Sequence, residues 1–326
     1  MQIGITEKGV MHTDPDEFDL DTRFRMVAES GVYDYYDKTP EDPALVDDYL
    51  AASEKYDLPV RAGGWFYLLG RDEAVLKEKL ALSARLGSIV HNTQILSKHA
   101  DGHYLTNEEV VDIYLQAYEW GDACGCYPTF EVHINMWSED FRRINQVADA
   151  VEARGVPFRM TLDHSHVIFK IDNVEEQKVF DIGPAVASGE LVLDPFADGS
   201  VSRQWIDRGL VQHAHARAAV PNNPLNTAYL GKNGEPGRGV QYPFFEPSEG
   251  EYVAPWDGSR LESWKEVVRQ LFAYHAVNPD SPLGQVSTVF IPGPDYGAGH
   301  GYSIFEHSIA CAKWLRDTWD EAIASA

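Results

Sequence analysis

Residues 129–163 read TFEVHINMWSEDFRRINQVADAVEARGVPFRMTLD, which predicts a strand, a helix and a second strand. The first seven residues alternate polar and apolar side chains, as a strand with two different faces does. The middle carries apolar residues at the spacing of one helix face: Ile144, Val147, Ala148 and Val151. Gly155 marks the end of that helix, and residues 157–163 form the next strand. The stretch therefore predicts two parallel strands joined by a crossover helix.

The same alternation extends along the chain in both directions. Further strands are expected at residues 1–7, 32–38, 59–64, 88–96, 210–215 and 285–291. Further helices are expected at residues 18–30, 43–56, 72–86, 106–123, 175–188 and 302–323. Strands that alternate with helices in this way predict a parallel sheet. For 326 residues, we expect a closed (β/α)8 TIM barrel that forms a single domain over residues 1–326.

One segment, residues 219–259, interrupts the alternation and is expected to be an inserted loop. It is rich in proline, glycine, asparagine and aromatic residues, and it shows no periodicity. It follows strand seven, so we expect it to lie over the C-terminal face, where TIM barrels build their active sites. Its aromatic side chains favour a lid, a substrate wall or a partner surface. A shorter glycine-rich stretch, residues 297–301, is expected to be a mobile loop.

The net charge of the chain excludes some classes of binding partner. The sequence has 51 acidic and 27 basic residues and a net charge of −24, which argues against nucleic acid and against anionic membranes as partners.

The cysteines and the N-terminal residues show no sign of secretion or of a metal-binding motif. The three cysteines have neither the number nor the spacing of a disulfide framework or a zinc knuckle. The N-terminal residues lack the pattern of a signal peptide, and no apolar run approaches the roughly 20 residues that span a bilayer. A cytoplasmic location is expected.

Ionisable and polar side chains accumulate at the ends of three consecutive predicted strands. They are, strand by strand, Glu131, His133 and Asn135; Asp163 and His166; and His213, His215 and Arg217. Residues two apart on a strand point to the same side, so the members from strand five are expected to face the barrel interior. Buried carboxylates are costly unless they are paired or bind a metal ion. Two carboxylates beside several imidazoles are most simply explained by Mn²⁺, Mg²⁺, Co²⁺ or Zn²⁺.

Histidine occurs at other positions with less informative spacing. His91 lies at the end of predicted strand four, beside Asn92 and Gln94, and is a candidate for substrate contact. His99 and His103 are expected at the surface. Any single histidine at a strand end is more often a hydrogen-bonded structural residue than a ligand, so the functional prediction rests on the combined set.

The E-x-H, D-x-x-H and H-x-H strands, in this order, resemble the xylose isomerase-like barrels. This superfamily includes sugar isomerases, ketose 3-epimerases and inosose dehydratases, and the resemblance covers essentially the whole chain. It implies that Glu131, Asp163 and His215 bind a metal ion. It also implies that His166 and Arg217 contact the substrate.

The chain departs from the ketose 3-epimerase pattern at strand eight. Those enzymes take a fourth metal ligand from this strand, a Glu that is also one of their two acid/base groups. Here residues 287–292 read STVFIP and contain no acid. Glu306, in the first turns of the last helix, is our candidate for the fourth ligand. The alternative is that Glu306 is an ordinary solvated helix residue.

Other features resemble the larger subunit of bacterial C-glycoside deglycosidases. They are the strand LDHSH at residues 162–166, the long aromatic insertion, and the helix YSIFEHSIACAKWLR at residues 302–316. This resemblance implies a small β-sandwich partner subunit and an oligomeric assembly. We expect Mn²⁺ as the cation, with Mg²⁺ or Co²⁺ as alternatives.

The chemistry shared by these resemblances is removal of a proton next to a carbonyl group of a sugar. In a 3-oxo-C-glycoside, loss of the C2 proton allows the bond from C1 to the aglycone to break by β-elimination. His133 is the expected base, and His166 or His213 the acid or orienting group. With a free ketose, reprotonation would give epimerase or isomerase activity instead; the missing acid on strand eight favours elimination. A barrel that only binds a partner is disfavoured by the dense polar rim.

Overall fold

The computed structural model describes residues 1–10, 18–296 and 301–326, so most of the expected glycine-rich loop lies outside the described residues. The barrel strands are β1 (Gln2–Thr6), β2 (Tyr35–Asp37), β3 (Val60–Tyr67), β4 (Val90–Ile95), β5 (Tyr127–Glu131), β6 (Met160–Leu162), β7 (Val211–Ala216) and β10 (Gln285–Thr288). They form a closed barrel in the order β1-β10-β7-β6-β5-β4-β3-β2, and every pair is parallel. The predicted TIM-barrel fold is confirmed. Two further strands, β8 (Asn226–Leu230) and β9 (Pro236–Gly237), form a separate antiparallel hairpin.

The helices surround the barrel and connect consecutive strands. They are α1 (Leu20–Ser30), α2 (Val46–Tyr56), α3 (Glu73–Leu86), α4 (Asn107–Cys124), α5 (Arg142–Glu152), α6 (Ser165–Ile168), α7 (Val174–Gln177), α8 (Gly183–Ser188), α9 (Val201–Asp207), α10 (Glu262–Val277) and α11 (Ile304–Ala324). Short 3₁₀ helices lie at Glu7–Val10, Pro43–Leu45, Trp137–Glu139 and Gly258–Leu261. No helix in the described ranges combines the length and the apolar character that crossing a bilayer requires.

Local sequence signals explain where the helices sit. The four apolar residues that define one face of α5 are all buried, as their spacing predicts. Thr106 and Glu109 form the reciprocal hydrogen bonds of a capping box at the start of α4. The C-terminal glycine of α3, Gly87, adopts φ 95°, a left-handed conformation that closes the helix.

Two predicted elements differ from the structure, and one long helix was not predicted. The single helix expected at residues 175–188 is two short helices, α7 and α8, because Asp181 adopts φ 50° and Pro184 begins a new helix. Strand β5 ends at Glu131 rather than at residue 135, and Asn135 is an exposed turn residue with φ 65° instead of facing the interior. Helix α10, which follows the residues expected to form the insertion, was not predicted from the sequence.

The ring of Tyr35 fills the lower interior of the barrel, and it fits there because the residue opposite it, Gly4, has no side chain. Tyr35, Ala62 and Val90 form a small buried cluster. A Cβ atom on Gly4 of β1 would lie 2.2 Å from the ring of Tyr35, far inside van der Waals contact. Tyr35 precedes Asp37 on the same face of β2, so this packing closes the barrel below the polar rim.

We expect Gly4→Ala to destabilise the protein by about 1–3 kcal/mol, because the added methyl group overpacks the interior against Tyr35. Urea denaturation would measure the loss. Gly284→Ala is the control, since no atom lies within 4 Å of the Cβ position of Gly284. Equal midpoints for the two variants would contradict the packing described here.

Candidate metal centre and active site

A cavity of about 510 Å³ opens at the carboxyl ends of the barrel strands, where TIM barrels place their active sites. Its volume lies within the range of small-molecule sites. The buried polar part of its wall contains Asp37, Asn92, Glu131, His133, His215 and Arg217. Its outer part contains Trp65, Phe66, Val289, Ile291 and Tyr296. The cavity is therefore polar at its base, and towards solvent its aromatic side chains lie beside charged ones such as Lys8 and Glu41.

Glu131, the last residue of β5, is held by three hydrogen bonds. Its Oε2 accepts from Asn92 Nδ2 at 2.7 Å and from Gln94 Nε2 at 2.5 Å, and both amides lie on one face of β4. Its Oε1 lies 2.8 Å from Nδ1 of His215. Burial would raise the pKa of Glu131, but the interaction with His215 lowers it to about 2. The carboxylate is thus ionised and oriented, and one of its roughly four lone-pair sites stays open.

Asp163 follows β6 and supplies the second carboxylate. Its Oδ1 accepts from the backbone N of Ser165 at 3.1 Å and from the Ser165 hydroxyl at 2.5 Å. Its Oδ2 lies 3.2 Å from Arg217 Nη2 and 3.4 Å from His166 Nε2, yet makes no hydrogen bond of acceptable geometry. Burial opposes ionisation, but Arg217 and His166 lower the pKa of Asp163 well below its ordinary value.

Ligand atoms of Glu131, Asp163 and His215 all lie within 4.8 Å of one another, and all three side chains are buried. Asp163 Oδ2 has no hydrogen-bond partner. Buried polar atoms are rarely left unsatisfied, so such atoms point to a missing ligand. Two carboxylates and an imidazole suit a divalent cation. The structure thus brings together the three residues expected to bind metal, and their arrangement fits such an ion.

His133 lies just beyond β5 and presents one nitrogen to the cavity. Its Nδ1 lies 2.6 Å from the carbonyl oxygen of Ile134, which can only accept, so Nδ1 carries the proton. Its Nε2 therefore accepts from the hydroxyl group of Tyr296, 3.1 Å away. Burial, aided by the nearby His166 and Arg217, lowers the pKa of His133 to about 4. The ring is neutral near pH 7 and offers a lone pair at Nε2.

His166 and Arg217 also converge on this region, with unused hydrogen-bonding atoms. Both ring nitrogens of His166 lack a hydrogen-bond partner, and its ring centre lies 4.1 Å from that of His133. Nε and Nη1 of Arg217 are likewise unpartnered, while its guanidinium group stacks 4.1 Å from the ring centre of Tyr296. Arg217 lines the cavity, whereas His166 is fully buried behind its wall. Substrate contact by these two residues stays a prediction.

Two predicted site residues lie elsewhere. His91 is fully buried on the outer face of β4, where its ring nitrogens pair with Tyr67 at 2.7 Å and Ser83 at 2.9 Å. It faces α3 and does not line the cavity, so its position does not support substrate contact. Glu306 has an exposed side chain in the first turn of α11 and belongs to none of the candidate ligand groups among the described residues. The helix directs it to solvent, so its position does not support a role as the fourth ligand.

Asp37, at the end of β2, was not recognised in the sequence. It is 5% exposed, and its Oδ2 accepts from Ser287 Oγ at 2.5 Å. The same oxygen lies 3.4 Å from Nε2 of His213 and 3.8 Å from Nε2 of His215. His213 is thus buried against Asp37 and, unlike His133, does not line the cavity. An acid that ends a buried strand is a signal that would have identified Asp37.

The segment between β7 and α10 is anchored by a buried cluster of charges. Arg238 binds the carboxylates of Glu139 and Glu176. Lys170, 1% exposed, lies 2.9 Å from Glu139 and 3.3 Å from Glu176. Glu139 also accepts a hydrogen bond from the backbone N of Asn135 at 2.6 Å. The cluster therefore fixes the turn that follows His133.

The same segment holds the loop that carries Tyr296. The backbone N of Arg238 donates to Asp295 Oδ1 at 3.0 Å, and that of Val240 donates to the carbonyl oxygen of Asp295 at 3.0 Å. Asp295 immediately precedes Tyr296, whose hydroxyl group meets His133. Arg238 thus connects the two loops whose side chains meet at the cavity. Sequence patterns did not identify Tyr296, because it lies in an irregular loop.

No protein-family model and no curated protein matches the sequence. Among solved structures, the chain is similar to D-psicose 3-epimerase from Clostridium cellulolyticum H10 with D-tagatose (13% identity, TM-score 0.56, 99% of both chains). It is also similar to the IolI protein with a bound zinc atom (14% identity, TM-score 0.55, 99% of both chains). A third is 3-keto-D-glucoside 4-epimerase, YcjR, from E. coli (13% identity, TM-score 0.53, 97% of this chain and 99% of that chain). At identities this low, the structural similarity shows a shared fold and nothing more.

We expect Glu131→Gln and Asp163→Asn each to weaken Mn²⁺ binding more than about 100-fold, because loss of even an outer partner of a metal ligand costs 10–100-fold. Isothermal titration calorimetry of the metal-free protein would measure the change. Glu306→Gln is the matched control and should leave the affinity unaltered. A comparable loss in Glu306→Gln would restore that residue as a ligand.

Replacement of Arg238 by Gln should lower the free energy of unfolding by about 3 kcal/mol, because it leaves the buried carboxylates of Glu139 and Glu176 undercompensated. Urea denaturation would measure this loss. Arg203→Gln removes an exposed ion pair with Asp207 and should cost less than about 1 kcal/mol. Similar losses for the two arginines would show that the cluster does not anchor the segment.

Proposed function

We propose that this chain is a metal-dependent enzyme that removes and returns a proton next to a carbonyl group of a sugar, as a sugar epimerase or isomerase. The observation that carries the proposal is the adjacency of two sets of residues at one cavity. Glu131, Asp163 and His215 form a candidate cation site, and His133 presents a neutral, unprotonated nitrogen beside it. Two of the structures with a similar fold are sugar epimerases, which supports this assignment.

Each side chain at the cavity has a separate task in this chemistry. When bound by Glu131, Asp163 and His215, a divalent cation would polarise the substrate carbonyl and stabilise negative charge on its oxygen. The free N–H groups of Arg217 donate to a second substrate oxygen and orient the sugar. The buried position of these groups excludes water, which strengthens their electrostatic interactions.

His133 moves the proton. Its Nε2 accepts the proton from the carbon next to the carbonyl, while the hydrogen bond from Nδ1 to Ile134 holds the ring in the required tautomer. Tyr296 donates to Nε2, and the substrate would take this position when it binds. Return of the proton from His133 to the neighbouring carbon, together with transfer of the hydroxyl proton to the former carbonyl oxygen, gives isomerisation. Epimerisation requires a second proton donor on the opposite face, which protonates the original carbon while His133 keeps the proton it removed.

A second candidate function is cleavage of a 3-oxo-C-glycoside by elimination after the same proton abstraction. Two observations favour it. The residue that directly follows β10 and lines the cavity is Val289, which is not an acid. Trp65 and Phe66 stack at the cavity mouth with ring centres 5.2 Å apart. A flat aromatic aglycone would pack against such a surface. The β-sandwich partner subunit and the preference for Mn²⁺ belong to this candidate and stay predictions.

The test is proton exchange in D₂O. Protein loaded with Mn²⁺ would be incubated with D-psicose, with a 3-oxo-glucoside or with a 3-oxo-C-glycoside, and NMR would follow deuterium at the carbon next to the carbonyl. We expect deuterium incorporation that EDTA abolishes. His133→Gln should slow it 10²–10⁴-fold, the usual contribution of a general base. His103→Gln, at an exposed position outside the cavity, is the matched control.

Each outcome separates the candidates. A deuterated epimer or isomer supports the first function, and release of the aglycone supports the second. Exchange that continues unchanged in EDTA contradicts a role for the cation. Normal exchange in His133→Gln shows that another group is the base, and no exchange with any of the three sugars contradicts the proposed function.

A further inference from the structure

The carboxylate of Asp37 has no part in the chemistry above, yet it lies at the base of the same cavity. It is 5% exposed, and the hydroxyl group of Ser287 donates a hydrogen bond to it at 2.5 Å. Among the described residues, no lysine or arginine pairs with it, and the ionisable groups beside it are the imidazoles of His213 and His215. A buried carboxylate without a strong cationic partner costs free energy, so its presence calls for a function.

His215 connects this carboxylate to the candidate cation site through its two ring nitrogens. Nδ1 lies 2.8 Å from Glu131, within the ligand group, whereas Nε2 points the other way and lacks a hydrogen-bond partner. Nε2 lies 3.8 Å from Oδ2 of Asp37, about 0.6 Å beyond an ordinary N–H···O hydrogen bond. A small tilt of the ring would close this gap. The two nitrogens therefore face two different carboxylates.

Metal-binding histidines almost always donate their other ring N–H to a carboxylate or a carbonyl oxygen, which fixes the tautomer and the ring orientation. A histidine that binds a cation through Nδ1 carries its proton on Nε2. For His215, the group that faces Nε2 is Asp37. His213 lies against the same oxygen, and Ser287 anchors that oxygen from β10.

We propose that Asp37 is a positioning residue of the cation site: it accepts a hydrogen bond from Nε2–H of His215 while Nδ1 of His215 binds the cation. The proposal rests on the cation site of the proposed function. It gives the chain a carboxylate beside β10, a strand that has no acid of its own, and the carboxylate acts through His215 rather than on the ion. Strand β2 thereby contributes to a centre whose ligands come from the opposite side of the barrel.

Zinc titration of the metal-free protein tests this role, because Zn²⁺ binding is measured without any sugar or turnover. Asp37→Ala should weaken Zn²⁺ binding 10–100-fold in calorimetry. Asp37→Asn should weaken it less, since the amide oxygen still accepts a hydrogen bond. Asp34→Asn removes one negative charge from the residue before β2 and should leave the affinity unchanged. Thermal melting of each metal-free variant would verify that it is folded.

A spectroscopic measurement on the wild-type protein keeps the test decisive if a variant does not fold. In the Zn²⁺-loaded protein, long-range ¹H–¹⁵N spectra should show His215 protonated at Nε2. Protonation at Nδ1 would overturn the proposal.

Three binding results would also overturn it: unchanged affinity in Asp37→Ala, equal losses in Asp37→Ala and Asp37→Asn, and loss of one of two bound ions. The second would show that only the charge of Asp37 matters, and the third that Asp37 is itself a ligand. Failure of the wild-type protein to bind Zn²⁺ or Mn²⁺ would instead contradict the cation site, and with it the proposed function.

Discussion

The contact on which the candidate site depends is the 2.8 Å approach of Glu131 Oε1 to His215 Nδ1, a hydrogen bond that a bound cation would replace. It joins the ends of β5 and β7 across β6, and it is available only because the closed barrel brings the ends of these strands to one rim. Asp163 stands between them, so two buried negative charges lie close together. That arrangement is costly for the free protein and favourable once positive charge is bound, which links the stability of the rim to its ligand.

The sequence predicted those parts of the molecule that follow a regular period. The faces of α5, the alternation of strands and helices, and the convergence of Glu131, Asp163 and His215 all derive from side-chain spacing along single elements. Asp37 was missed because β2 has only three residues and its one acid has no second acid or histidine two positions away. Tyr296 and Arg238 were missed for a different reason, since they meet through irregular loops that no period describes.

The failed predictions share a physical cause. His91 and Asn92 are adjacent on β4, and a strand sends adjacent residues to opposite faces, so Asn92 meets Glu131 while His91 packs beneath α3. Glu306 lies in the first turn of a helix, where its negative charge favourably faces the positive end of the helix dipole, and solvent surrounds it. In both cases the secondary-structure element was predicted correctly, but the side chain points away from the cavity.

The charge cluster around Arg238 has a consequence for how this barrel can be altered. Loops at the C-terminal face of TIM barrels are often regarded as exchangeable modules on a fixed scaffold. Here Arg238 reaches from one such loop to the turn behind His133, and its neighbours hold the loop of Tyr296. Grafting a foreign sequence between β7 and α10 would therefore remove the contacts that hold His133, which follows a different strand, so these three loops must be transplanted together.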